Sequence, residues 1–182
     1  MMLKRSILAG LMVAGLLLTS AQALAVDVPI NITGTVIIPD CKVTPKEIDW
    51  GDIQIQTLEY TDIEYHIKQV PIDIECLPGL DNMKLTMTLR GNSAPGKRNN
   101  SIATSKSGEG LAIVVRLIEQ IGGFKNKTVT LNTKGNIVPT EVGGGRKRLN
   151  FVFALVRLPG AGLEMLTPGR FDASANLEVC YE

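Results

Sequence analysis

The sequence has little of what an enzyme or a metal site is usually built from. Its 182 residues include one histidine and three cysteines, and no Cys-x-x-Cys pair occurs. A zinc site needs three or four such ligands, and a catalytic triad needs a histidine beside its nucleophile. The stretch Gly143-Gly-Gly-Arg-Lys-Arg148 lacks phosphate-loop spacing and leads into a predicted strand, so it is interpreted as a solvated hairpin. We therefore expect no catalytic residue, no metal and no cofactor.

Aromatic residues and net charge are also scarce. Aromatic residues make up 4% of the chain, with a single tryptophan, Trp50, so there is little stacking surface for sugars. The formal net charge is +1, and it becomes −1 once Lys4 and Arg5 are removed with the leader described next. Such a balance provides no field for nucleic acid or for an anionic membrane surface.

The first 25 residues are predicted to be a secretory signal peptide. Lys4 and Arg5 form the positive region, the apolar run covers residues 7–18, and Ala23-Leu24-Ala25 supplies the small residues needed for cleavage. The run is too short for a permanent transmembrane helix, although an uncleaved N-terminal anchor is the alternative. The mature chain is then residues 26–182, long enough for one domain with a core.

The mature sequence alternates with a period of two almost throughout, which predicts strands rather than helices. Outside the leader, no segment sustains the i, i+3, i+4, i+7 stripe of an amphipathic helix. Two segments are apolar on both parities and are predicted to be central strands. The predicted strands cover residues 28–36, 70–76, 85–89, 111–118, 128–131, 149–158 and 171–181. Short strands separated by glycine-, asparagine- and proline-rich turns indicate an all-β sandwich.

Three cysteines, at positions 41, 76 and 180, allow one bridge and leave one thiol over. Pairing Cys41 with Cys76 would close a loop of 36 residues, counted inclusively. In the chain-entropy model this is worth roughly 3–4 kcal/mol. Cys180 could be a spare thiol, an intermolecular link or the true partner of one of the others. His66 is interpreted as a strand residue without a special role.

The first and last predicted strands, 28–36 and 171–181, would leave an unpaired sheet edge, which proteins normally protect. The segment between Cys41 and the end of the sequence holds about six strands, and an immunoglobulin-like sandwich needs about seven. Either the N-terminal strand folds back onto its own body, or it is donated to a neighbouring molecule by strand addition. The plain alternative for the tail is an ordinary edge strand of a complete sandwich.

The tail of the sequence has a specific spacing, in which Tyr181 is second from the end, Gly169 is fourteenth, and alternating apolar residues lie between them. Four further stretches accompany it: the run 28–36, Pro39-Asp40-Cys41-Lys42-Val43, Ile48-Asp49-Trp50-Gly51-Asp52-Ile53 and Ile72-Asp73-Ile74-Glu75-Cys76. Together these stretches resemble pilin subunits of the chaperone–usher pathway, most closely the minor subunits that link a tip adhesin to the fibre in type 1 and P-type pili. The tail is the most specific match. The resemblance covers essentially the whole mature chain, and Cys180 departs from its usual two-cysteine pattern.

The resemblance implies an all-β fold: an incomplete immunoglobulin-like β-sandwich of six strands, missing the last, plus an N-terminal donor-strand extension. The domains expected are the signal peptide at 1–25, the extension at 26–38 and the pilin domain at 39–182. It also implies a Cys41–Cys76 disulfide. The implied donor residues are Val28, Ile30, Ile32, Gly34 and Val36. The implied chaperone-binding and groove residues are Gly169, Phe171, Ala173, Ala175, Leu177, Val179 and Tyr181.

The implied partners are a periplasmic pilus chaperone, an outer-membrane usher, neighbouring pilins and a tip adhesin, with neither nucleic acid nor direct membrane insertion. The protein is expected to pass through the periplasm to a fimbrium at the cell surface and not to be an enzyme. Within the family, a tip-adaptor role is favoured over a major or terminating subunit. The competing hypothesis is a periplasmic or surface carbohydrate-binding sandwich.

Overall fold

The described residues fold almost entirely as β-strands. A computed structural model describes residues 41–76, 79, 83–96, 99–120 and 124–182. The predicted signal peptide and donor extension, including Val28, Ile30, Ile32, Gly34 and Val36, lie outside the described residues. Within the described ranges, three short 3₁₀ turns at Ile55–Thr57, Ser107–Glu109 and Leu163–Met165 are the helical elements, and no helix is both long and apolar enough to span a membrane.

The chain forms ten strands among the described residues, of which six have five or more residues. They are β1 (Lys42–Val43), β2 (Glu64–Glu75), β3 (Leu85–Gly91), β4 (Ser101–Ala103), β5 (Leu111–Gln120), β6 (Phe124–Thr128), β7 (Gly135–Ile137), β8 (Thr140–Gly143), β9 (Arg146–Arg157) and β10 (Ala175–Tyr181).

Two sheets make up the sandwich. The larger has the order β1-β2-β9-β5-β4, with β6 also paired to β5 and β8 to β9, and the smaller has the order β10-β3-β7. All the strand pairs within the sheets are antiparallel. This two-sheet architecture confirms the predicted immunoglobulin-like fold class.

The core lies between the sheets and is centred on β5 and β9. These are the two segments whose apolar residues occupy both parities of the sequence, and residues 111–115 and 151–158 are buried. On β9, Phe151 and Leu155 are fully buried and face β3, β7 and β10 across the core. A strand covered on both faces needs apolar side chains on both, which explains its continuous run.

Several strand predictions need correction. The strand predicted at 128–131 is displaced: Phe124–Thr128 forms β6 instead, in a hairpin with β5. Its polar Lys-Asn-Lys sequence is typical of a loop, and pairing with β5 rather than local propensity decides its structure. The strand predicted at 171–181 begins only at Ala175, and the strand predicted at 70–76 already begins at Glu64. The short strands β4, β7 and β8 lie in segments where the sequence predicts no strand.

Candidate strand-accepting groove

A long groove opens between the two sheets beside β10. Its volume is about 1150 Å³, large for a site on a chain of this size. The walls are the loop that follows β1 and the segment that leads into β10, and strands of both sheets form the floor. The apolar side chains of the floor are Val70 and Ile72 from β2, Leu89 from β3, Ile102 from β4, Leu111 and Ile113 from β5, and Phe153 and Leu155 from β9.

The backbone of β10 forms one wall, and its hydrogen bonds show which residues turn outward. Lys84 and Glu182 exchange backbone bonds of 3.1 and 2.8 Å, so even-numbered residues of β10 direct their amides and carbonyls toward β3. Odd-numbered residues therefore turn theirs toward the outer edge of the sheet. The amide of Cys41 donates to the outward carbonyl of Val179 at 3.1 Å.

The same odd-numbered residues carry the apolar side chains, because both properties of a strand alternate with a period of two. Their burial does not change evenly along the wall. Tyr181 and Val179 are buried and Leu177 is half-buried, whereas Ala175, Ala173 and Gly169 are exposed. Phe171 is half-buried again because it packs against the core and Trp50. The tail predicted as one uniform strand is thus closed at its C-terminal end and more exposed further upstream.

The segment before β10 is held by the loop that follows β4 rather than by β3. β3 ends at Gly91, which pairs with Ala175, so β10 has no partner on that side further upstream. Instead, Ser105 donates its amide to the carbonyl of Asp172 at 2.9 Å, and the amide of Asp172 donates to the hydroxyl of Ser105 at 3.1 Å. The wall therefore leaves β3 and contacts the loop that follows β4, a strand of the larger sheet.

The opposite wall is a loop anchored along β2. The indole nitrogen of Trp50 donates to the carbonyl of His66 at 2.8 Å, and Lys68 donates to the carbonyl of Asp49. His66 adopts a left-handed φ of 48° at a β-bulge, which explains why its carbonyl is available beside the regular ladder. The histidine to which the sequence assigns no special role thus helps to position this wall.

An aromatic contact joins the two walls. The rings of Trp50 and Phe171 lie 6.2 Å apart between centroids and are tilted by 43°. Both side chains are half-buried and pack against the core. The contact falls within the range of favourable aromatic pairs.

A polar network supports the N-terminal end of the β10 wall, near Gly169. The carboxylate of Glu109 accepts bonds from the amide of Thr167 at 2.7 Å and from its hydroxyl at 2.8 Å. The ammonium of Lys106 donates to both oxygens of Glu109 at 3.2 and 3.1 Å. The bond from the Thr167 amide, followed by the other two partners, holds the pKa of Glu109 below its ordinary value. No local pattern in the sequence indicates this network, because Glu109 and Thr167 are 58 positions apart.

Gly169 lies beside this network at the point where the wall turns. Its φ of 138° falls in a region that residues with a Cβ rarely adopt. An added Cβ would also come within 3.8 Å of the Lys106 side chain. The glycine that the resemblance singled out therefore has a conformational reason to be there.

A disulfide joins Cys41 to Cys76, the pair implied by the resemblance, with 4.4 Å between their Cα atoms. It fixes the residue that precedes β1 to the residue that follows β2. Cys180 lies outside this bridge, half-buried on β10, with its sulfur 3.9 Å from the carboxylate of Glu178. Over the described ranges, no group of three or more His, Cys, Asp or Glu side chains is placed to hold a metal ion.

The fold and the groove define a class of proteins: immunoglobulin-like sandwiches of the pilin type. The P pilus rod subunit PapA superimposes with a TM-score of 0.54 at 22% identity, over 85% of this chain and 99% of PapA. The P pilus adaptor subunit PapF gives a TM-score of 0.52 at 22% identity, over 81% of this chain and all of the PapF chain. At this identity the likeness concerns the fold.

Sequence comparison identifies the family. The pattern of the family described as "Fimbrial protein" matches residues 30–182. Fimbrial protein PrsE of Escherichia coli is 31% identical over 174 residues, which cover 92% of each chain. Fimbrial adapter PapF of Escherichia coli is 30% identical over 169 residues, 91% of this chain and 94% of PapF. The chain belongs to the fimbrial protein family and is a structural subunit of a bacterial fimbria at the cell surface.

Proposed function

We propose that this protein is a minor, adaptor-type pilin, completed by a β-strand that another molecule inserts into the groove beside β10. The observation that carries this proposal is the geometry of the wall. The residues whose backbone turns outward, from Ala175 to Val179, are also those whose side chains line the groove or reach the core. An added strand would satisfy both the backbone and the apolar surface in one step.

Two different strands are proposed to use this groove in turn. A periplasmic chaperone would first lend a strand beside residues 169–181, contacting the wall through its alternating residues. At the outer-membrane usher, the N-terminal extension of an incoming pilin would replace it. The proposed wall residues are Gly169, Phe171, Ala173, Ala175, Leu177, Val179 and Tyr181.

The extension of this chain is proposed to act as the donor strand for the subunit ahead of it. Burying each of Val28, Ile30, Ile32 and Val36 would contribute roughly 1.5–3 kcal/mol. Gly34, on the same parity, would allow close backbone approach. Strand exchange of this kind needs no bond chemistry, and we propose that the protein is not an enzyme. An adaptor position is supported by the relatives named adapter PapF and minor fimbrial protein PrsF, each 30% identical.

The experiment that tests this proposal supplies a strand within the same chain. A copy of residues 27–37 is attached through a flexible linker after Glu182, giving what we call the fused chain. We expect the unfused mature chain, expressed without a chaperone, to aggregate or be degraded, and the fused chain to be a soluble, heat-resistant monomer.

The matched control carries Ile32→Asp in the appended copy only. Burying a carboxylate in an apolar groove is unfavourable, so this copy should fail to rescue the chain. An unfused chain that is already a stable monomer, or a fused chain rescued equally well by the Ile32→Asp copy, would contradict the proposal.

A further inference from the structure

Lys106 is unusual among the charged residues that line the groove. The other charged lining residues are exposed at the rim, whereas the Lys106 side chain is only 11% exposed. The end of its side chain lies near Gly169, since a Cβ added to that glycine would be 3.8 Å from the Lys106 Cε and 3.9 Å from its Nζ. Lys106 is therefore a largely buried cation in a groove whose floor is apolar.

The ammonium of Lys106 has three hydrogen-bond acceptors. It donates to both carboxylate oxygens of Glu109 and, at 2.9 Å, to the hydroxyl of Thr167. A lysine ammonium has three donors, and these three acceptors match them. Glu109 does not itself line the groove, and it acts on the groove through Lys106.

We propose that Glu109 is a positioning residue that holds the Lys106 ammonium out of the path of the incoming strand. This inference rests on the proposed function of the groove. With Glu109 in place, the strand meets the hydrocarbon stem of the lysine. Without it, the strand meets a cation that has lost its partner.

The physical reason is the asymmetry of charge burial. Removing one member of a buried or partly buried ion pair leaves the other charge uncompensated, whereas replacing both members by uncharged groups is often neutral. An added strand would exclude water from Lys106, so the penalty for losing Glu109 should grow when the groove is filled. A residue that merely anchored Thr167 would not show this pattern.

The test is a double-mutant cycle in the fused chain, read out as the rate of unfolding in denaturant. Glu109→Gln keeps an oxygen that accepts from the Thr167 amide but removes the charge. We expect it to speed unfolding about tenfold. Lys106→Met alone should change the rate by less than about threefold, because Met conserves most of the stem and because Glu109 is one-third exposed and keeps both bonds from Thr167. The double variant should return to within about threefold of the wild-type fused chain.

The charge-matched control is Glu178→Gln. Glu178 lies on the same wall but on its outer face, where it pairs with Arg90 at 2.8 Å. Its loss should change the rate by less than about threefold, as expected for an exposed pair.

Two results would overturn the inference. One is a Glu109→Gln rate equal to that of wild type, and the other is a defect that persists undiminished in the double variant, which would assign Glu109 to anchoring alone. Failure of the proposed function looks different, because the wild-type fused chain would then be no more soluble than the unfused chain.

Discussion

Strands β9 and β10 face each other across the core and are completed in different ways. β9 has β2 on one side and β5 and β8 on the other, and every residue from Phe151 to Arg157 is buried. β10 is the outermost strand of its sheet, and the burial of its inward-facing residues decreases from Val179 through Leu177 to Ala175. We call the part of the sandwich around β9, where the strands are already paired and buried, the self-sufficient half. The part beside β10, where the proposed function places a further strand, is the open half.

The largest expected effect comes from breaking the self-sufficient half. Phe151 is fully buried on β9, so Phe151→Ala should lower the free energy of unfolding of the fused chain by about 3–5 kcal/mol. Equilibrium denaturation measures this loss. Because Phe151 belongs to the half that is already complete, weakening the appended strand with Ile30→Ala and Ile32→Ala should leave the loss nearly unchanged. If the loss of unfolding free energy caused by Phe151→Ala depended strongly on the appended strand, the two halves would not differ in the proposed way.

An intermediate effect is expected at the open half. Leu177→Ala removes a half-buried side chain that an added strand would cover. In a double-mutant cycle, Leu177→Ala is combined with the weakened appended strand, which carries Ile30→Ala and Ile32→Ala. We expect a coupling energy of about 1 kcal/mol between the two changes. The neighbouring variant Glu178→Ala, on the outer face, should give a coupling near zero. Equal coupling at both positions would mean that the appended strand does not lie beside the inner face of β10.

The smallest effect is expected from pH. A bond from Arg148 lowers the pKa of Asp73 beside β9, and the bonds from Thr167 and Lys106 lower the pKa of Glu109 at the groove. A carboxylate with a depressed native pKa stabilises the folded state above its unfolded pKa, near 4, and that stability is lost as the pH falls through the native pKa. The fused chain should therefore become easier to denature below about pH 4.

Variants separate the two halves in this measurement. Asp73→Asn should remove part of the pH dependence of stability, and this part should not depend on whether the groove is filled. Glu109→Gln should remove another part. Denaturation midpoints measured across the acid range would show both contributions, and an unchanged acid profile in both variants would contradict the assignment.

Much of the fold follows from local patterns in the sequence. The continuous apolar runs of β5 and β9 identify the centre of the larger sheet, because only a strand covered on both faces needs them. The alternation of β10 identifies the apolar inner face of the tail. Even the turn into β9 is signalled by three consecutive glycines at positions 143–145, all of which adopt positive φ.

The rest depends on contacts between distant positions. The hydrogen bonds between Ser105 and Asp172 explain why the residues before Ala175 do not continue the strand. No periodicity in the sequence indicates these bonds. The contact between Trp50 and Phe171 and the Lys106–Glu109–Thr167 network are set by tertiary packing in the same way. Polar residues such as those of β6 become a strand because a partner is available, which single-segment propensity does not encode.

The Cys41–Cys76 bridge has a mechanical consequence. If the residues before Cys41 are held in a neighbour, tension along a fibre enters this subunit at Cys41. There the covalent bond passes the load directly to the end of β2, a twelve-residue strand, instead of leaving it on the two-residue β1. The pull is thus shared along the long axis of the larger sheet, where many hydrogen bonds resist shear together.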